Sequence, residues 1–151
     1  MSTVARPRVY LAGPDVFRPD AEQHFAVMAA ACETLGLEAL SPFDASITAS
    51  IPPHAIYEAN MAMIRSAHGV VANLEAFRGA GPDSGTAFEV GAAVALGLPV
   101  VAYGGQPADF GVNLQQALVF VSGAEEALQL IARLLFGVTQ PTVPPAMRDL
   151  R

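Results

Sequence analysis

Asp83 and Glu89 stand six positions apart in Asp83-Ser84-Gly85-Thr86-Ala87-Phe88-Glu89, a loop acid followed by a second acid about one turn inside a helix. Two carboxylates at one helix entrance can divide the labour of a substitution, one as nucleophile and one handling protons. The positive end of the helix dipole favours an ionised carboxylate by roughly 0.3–1 kcal/mol, which suits Glu89 as an anionic nucleophile. A plainer account has Ser84 capping the helix while Asp83 and Glu89 offset its dipole. The neighbours argue against it. Glu89 lies between Phe88 and Val90 in a helix otherwise built from Gly, Ala, Val and Leu, so part of its stem should be buried.

A second polar loop follows the first apolar run, in Tyr10-Leu11-Ala12-Gly13-Pro14-Asp15-Val16-Phe17. It has neither the glycine spacing of a dinucleotide loop nor the lysine of a P-loop, and Asp15 would repel a phosphate. Taken alone, Gly13-Pro14-Asp15 is a turn.

The elements that must hold these loops alternate. Residues 9–12 form a short buried strand ended by Gly13 and Pro14, and Asp20, with Gln23 three residues on, offers an N-cap for a helix over 21–35 stopped by Gly36. Residues 38–40 are a second strand, and a loop over 41–53 leads to a helix over 54–67 that can bury Ile56, Met63 and Ile64. A third strand over 69–74, a Gly- and Pro-containing loop over 75–84, a helix over 85–96 and a fourth strand over 99–103 come next. Residues 119–121 supply a fifth strand, and Ser122 with Glu125 makes a capping box for a last helix ending near Phe136. This alternation predicts one α/β domain over 1–137: a three-layer fold with a central parallel sheet of about five strands and helices on both faces. Both polar loops then fall at the carboxyl edge of the sheet, where such folds bind ligands. Pro141, Pro144 and Pro145 exclude regular structure from the tail, 138–151, which is expected to be extended or disordered.

Composition narrows the partners. A net charge of −6 provides no clustered Lys and Arg for a phosphate backbone, which argues against nucleic acid and anionic membrane. No apolar stretch is long and unbroken enough for a membrane helix, and no signal-peptide pattern precedes the first strand. Cys32 is the sole cysteine, so no intrachain disulfide can form and no zinc-type cluster exists; a cytoplasmic protein is expected. With 52% hydrophobic residues and only 15% charged, the chain has an apolar surplus suited to subunit interfaces.

The ordered set Tyr-Leu-Ala-Gly-Pro at 10–14, Ala59-Asn60, Ala72-Asn73-Leu74, Phe77-Arg78-Gly79, the block from Asp83 to Glu89 with Gly91 beyond it, and Asn113-Leu114 resembles the nucleoside 2-deoxyribosyltransferase family. The resemblance runs over about 9–118. It implies a flavodoxin-like sheet and a two-step, retaining exchange. A glutamate attacks C1′ of a 2′-deoxynucleoside and releases the base, and a second free nucleobase takes the deoxyribosyl group. On that pattern Glu89 is the nucleophile, Asp83 the assisting acid and Tyr10 the residue that orients the nucleophile. Gly13, Asn60, Gly85 and Asn113 fall in the matched motifs as substrate-binding residues, with Asn113 reaching into a neighbouring subunit's site; in the loop just beyond the first motif, Asp15 is expected as a further substrate contact and Phe17 as a wall for the base. Neither metal nor organic cofactor is implied.

Several positions depart from the family's pattern. Asn60 stands where some members carry an aspartate for base contact and proton transfer, and an amide cannot act as an acid. His68 replaces a frequent Asp, Gln115 a frequent Met, and the Pro-rich end differs from members whose terminal carboxylate reaches the site. Two other functions fit the same fold: a deoxynucleoside 5′-monophosphate N-glycosidase passing the sugar to water, and a non-catalytic sensor of nucleosides or nucleotide derivatives. The first needs a phosphate site, whereas Asp15 suits a free 5′-hydroxyl; the second is expected where the acids are replaced, and here Asp83 and Glu89 are both present. The sequence thus predicts ping-pong base exchange in a homo-oligomer, a dimer or a hexamer.

Overall fold

The computed structural model describes residues 4–42 and 51–137. The strands are β1 (Arg8–Ala12), β2 (Glu38–Leu40), β3 (Gly69–Asn73), β4 (Val100–Tyr103) and β5 (Val119–Phe120). They form one sheet in the order β2-β1-β3-β4-β5, and every neighbouring pair is parallel. The helices are α1 (Ala21–Thr34), α2 (Pro53–Ser66), α3 (Ser84–Ala95), α4 (Val112–Ala117) and α5 (Ala124–Phe136). This is the expected three-layer α/β arrangement of flavodoxin-like type.

Alternation along the strands divides the core in two. Tyr10, Ala12, Val70, Ala72, Val100 and Ala102 pack with Met61 and Ile64 of α2 and Val90 and Ala93 of α3. Val9, Leu11, Val71 and Val101 pack on the other face with Phe25, Met28 and Cys32 of α1 and Leu128 and Ile131 of α5. A fully buried Leu, Ile or Met side chain contributes roughly 1.5–3 kcal/mol, so the two layers together fix the register of the central strands. All of β3 is buried, as befits a central parallel strand, and its sequence Gly-Val-Val-Ala-Asn is continuously apolar until the last residue. Burial also pushes the Cys32 thiol up to about 11, which makes it unreactive. Among the described residues no helix is long and apolar enough to cross a membrane.

Several local expectations are corrected. Asp20 occupies the N-cap of α1 but makes no side-chain cap bond; its carboxylate instead pairs with Arg18 at 2.8 Å. Helix α2 begins one residue early, at Pro53, because a first-turn proline lacks only an amide that the helix would leave unpaired. Its most buried residues are Met61 and Ile64, while Ile56 and Met63 are half-buried. At α5 the partner of Ser122 is Glu126, which accepts from both the Ser122 amide at 3.0 Å and the hydroxyl at 2.6 Å, and Gly123 takes the cap position. The short helix α4 was not anticipated. The tail at 138–151 and most of the loop before α2 lie outside the described residues.

Candidate functional site

The carboxyl edge of the sheet gathers two groups of polar side chains, one against α3 and one against α1. In the first, Tyr10 leaves the middle of β1 on the face covered by α2 and α3 and is wholly buried. Its hydroxyl donates to Oε2 of the half-buried Glu89. Glu89 is the sixth residue of α3, past the first turn in which the helix dipole acts, so the donor that holds its charge is Tyr10. Burial pushes the Glu89 carboxyl above the ordinary range, the Tyr10 hydrogen bond opposes that rise, and the charge of Asp83 adds to it; the net direction is upward. Burial, followed by the charge of Glu89 and the bond to it, drives the Tyr10 phenol far above its usual range, so it stays a donor.

Asp83, not Ser84, is the N-cap of α3. Its Oδ2 accepts from the Thr86 amide and the Thr86 hydroxyl, each at 2.9 Å, which satisfies a fully buried threonine and fixes the helix entrance. The capping account is thus right about the pattern and wrong about the residue. Asp83 remains half-buried, and its charge is felt at Glu89. Gly85 is exposed in the first turn. Asn60 lies on α2, one helical turn beyond Tyr57, and its Oδ1 is buried without a hydrogen-bond partner. Tyr57 and Phe88 face each other across α2 and α3 with ring centroids 6.2 Å apart, and both are exposed.

The second group is built around Asp15, in the 3-10 turn Pro14–Phe17 that follows β1. Asp15 is only 7% exposed, and a buried carboxylate must be compensated. Its Oδ1 accepts from Asn73 Nδ2 at 2.7 Å, and its Oδ2 lies 2.6 Å from His24 Nε2 on the first turn of α1. Asn73, the last residue of β3, also bonds Glu75 through both ends of its amide, at 3.1 Å and 3.0 Å. Gly13 is required by close approach: a Cβ there would sit 2.9 Å from both Asn73 Cβ and Asp15 Oδ1. The turn is therefore pressed against the end of β3.

The loop after β3 folds back as a tight hairpin, with Ala76 bridging Pro82 and the Phe77 amide donating to the Gly81 carbonyl at 2.9 Å. Arg78 at its tip has φ 51°, a left-handed conformation that a non-glycine residue adopts at a cost. The hairpin stacks Phe77 on Phe17 with centroids 5.0 Å apart, and the Arg78 guanidinium lies 5.2 Å and 4.8 Å from the two ring centres. Between hairpin and turn is a cleft of about 300 Å³ lined by Pro14, Asp15, Phe17, Arg18, Glu75, Ala76 and Phe77.

Among the candidate residues, Tyr10, Asp83 and Glu89 come together, and Asp15 and Phe17 share the neighbouring cleft. Asn113 is exposed on α4, with the adjacent Gln115 amide donating to the Phe110 carbonyl at 2.6 Å. His68 is a structural partner, its Nδ1 accepting from the Arg8 amide at 2.9 Å. Sequence reasoning missed His24 and Glu75. His24 follows Asp15 by nine residues, and only the reversal between strand and helix brings the two together.

Comparison with known proteins places these motifs. The family model for nucleoside 2-deoxyribosyltransferases matches residues 9–123. A solved structure described as a 2-desoxiribosyltransferase from Leishmania mexicana is 36% identical with a TM-score of 0.59, over 64% of this chain and 63% of that one. The chain thus spans less than two thirds of that protein's length. A 2-deoxyribosyltransferase from Bacillus psychrosaccharolyticus, 18% identical, has a TM-score of 0.61 over 93% of this chain and 94% of its own. A CMP N-glycosidase from Clostridium botulinum, 15% identical, has a TM-score of 0.58 over 82% and 97%. These last two show a shared fold. No curated protein matches.

Proposed function

Because the chain belongs to the nucleoside 2-deoxyribosyltransferase family, a family of enzymes acting on nucleosides, we propose that it exchanges the bases of 2′-deoxynucleosides through a covalent deoxyribosyl-glutamate. The observation that carries this reading is the Tyr10 hydroxyl on Glu89 Oε2. It supports an anion inside a half-buried site and leaves Oε1 to attack C1′. The C1′–N bond breaks with its electron pair going to the base, which takes a proton from water or from Asp83 when that carboxyl is in its acid form. The acceptor base then displaces Glu89 from the opposite face, so configuration is retained overall. The missing 2′-hydroxyl favours the oxocarbenium-like transition state, since no electron-withdrawing group adjoins C1′. Neither metal nor organic cofactor takes part.

Tyr10 orients the nucleophile, and Gly13, Asp15, Phe17, Asn60 and Gly85 contact the substrate. Phe17 offers the base an apolar wall, and Asp15 accepts from the 5′-hydroxyl. Asn113 acts on a neighbouring subunit's site in a homo-oligomer; the exposed rings of Tyr57 and Phe88 are suited to such an interface. Sedimentation of a monomer at working concentration would remove that part.

The test is chromatographic. Wild type and Glu89→Ala are incubated with several 2′-deoxynucleosides, with and without a second base. A new deoxynucleoside made by wild type alone supports exchange through Glu89. Base released at one rate regardless of acceptor means hydrolysis, and binding without turnover means a sensor. Hydrolysis of 5′-monophosphates is the second reading, favoured by Arg18 in the cleft lining and by the Arg78 guanidinium over the Phe17 and Phe77 rings, and opposed by Asp15 and Glu75 in the same lining.

A further inference from the structure

Asp15 is surrounded by more positioning chemistry than a turn requires. Two of its lone-pair directions are taken, one by Asn73 Nδ2 at 2.7 Å and one by His24 Nε2 at 2.6 Å. A carboxylate has about four, so acceptor capacity is left over. Asp15 also lines the 300 Å³ cleft, a space large enough for part of a small ligand. Asn73 is itself immobilised, 6% exposed and tied at both ends to Glu75. The other contact comes from a different layer of the fold, from a histidine whose side chain is 19% exposed and whose ring meets Phe25 edge-on at 5.6 Å. With its Nε2 2.6 Å from Oδ2, His24 holds the second oxygen and so sets the rotation of the carboxylate about its Cβ–Cγ bond. Asn73 alone would hold one oxygen and leave that rotation free.

We propose that His24 is a positioning residue: its Nε2–H fixes the Asp15 carboxylate so that the remaining lone pairs accept the 5′-hydroxyl of the nucleoside sugar. The proposal rests on the base-exchange reading above and deepens it, because it makes discrimination for a free 5′-hydroxyl depend on a residue that touches no substrate. A misoriented buried carboxylate binds the hydroxyl poorly, and its loss weakens the ground state and the transition state alike. The effect therefore falls on KM rather than kcat.

The experiment compares wild type, His24→Phe and His24→Gln on a 2′-deoxynucleoside that the wild type turns over and on its 5′-deoxy counterpart, which lacks only that hydroxyl. A hydrogen bond to a charged acceptor predicts a wild-type preference of about tenfold or more in kcat/KM for the hydroxylated substrate. In His24→Phe the preference falls to about one through KM for the hydroxylated substrate only, and His24→Gln, whose side-chain amide can still donate to Asp15, recovers it. Asp15→Asn is the companion variant should His24→Phe fail to fold, and it loses the same preference. Equal losses on both substrates, or a wild-type preference near one, overturn the proposal while leaving base exchange standing. A wild type that turns over no 2′-deoxynucleoside shows instead that the functional reading has failed, and the proposal falls with it.

Discussion

The hydroxyl of Tyr10, a wholly buried side chain on β1, donates to Oε2 of Glu89 on α3, 79 positions later in the chain. Burial and the Asp83 charge raise the Glu89 carboxyl, and this hydrogen bond is the influence that lowers it.

Tyr10→Phe removes the lowering influence and leaves the raising ones. In the proposed exchange attack needs ionised Glu89, so the acid limb of the kcat profile should move to higher pH, with a loss of roughly tenfold in rate at neutral pH for one missing charge-assisted bond. A pH–rate profile checks this, and an unmoved limb would mean that Glu89 does not carry the rate-limiting ionisation.

Glu89→Gln should abolish exchange and at the same time stabilise the protein. The folded carboxyl is raised above its ordinary value near 4.5, so the native state holds its proton more tightly than the unfolded chain. That contribution is fully present below the unfolded pKa and is lost as pH rises through the folded one. At neutral pH the ionised group is thus a net cost that the neutral amide avoids, while Tyr10 can still donate to its oxygen. The expected result is a higher Tm than wild type at pH 7, with the difference shrinking toward pH 4.

Asp83 has two separable duties. Asp83→Ala loses the cap on Thr86 and should cost about 1 kcal/mol in urea unfolding. Asp83→Asn retains a good capping residue and should unfold near wild type, yet it removes a negative charge that raises Glu89. Exchange slows where Asp83 would have protonated the leaving base, and the acid limb of the activity that remains moves to lower pH in the asparagine variant, the reverse of Tyr10→Phe.

Gly104, just after β4, has φ 88°, and a Cβ there would lie 2.5 Å from Asn73 Oδ1 and 2.8 Å from the Glu75 amide. Gly104→Ala therefore strains the backbone and pushes on the bond between those two groups. Its cost should exceed the roughly 0.4–1 kcal/mol typical of compatible glycine replacements, with the sign reversed. Urea unfolding measures it.

The strands and long helices were legible because their signals are local: apolar runs of four or five residues closed by Gly or Pro, and helices between them. Glu89 was legible because an acid in an apolar helix is anomalous wherever it occurs. The identity of each cap was not, since Asp83 and Ser84, or Glu125 and Glu126, differ by one position and the backbone path at the helix entrance chooses between them. The partner of Asp15 was illegible for a different reason. The contact with His24 crosses a turn whose path is set by Asn73, and nothing in residues 13–24 alone encodes it. Likewise the positive φ of Arg78 answers to a hairpin that must reach Phe17, and α4 is too short for a periodic signal.

The strand that supplies Tyr10 is the earliest in the chain, yet it lies between β2 and β3 and presents no free edge. As the polypeptide leaves the ribosome, β1 must wait through some sixty residues before its second neighbour exists, and longer still for the helix bearing Glu89. Parallel pairing of this kind closes large loops before it is rewarded, so it forms slowly. The tyrosine–glutamate contact thus requires these long closures, and a partly folded chain that has not yet enclosed its first strand has no Tyr10 hydroxyl held against Glu89.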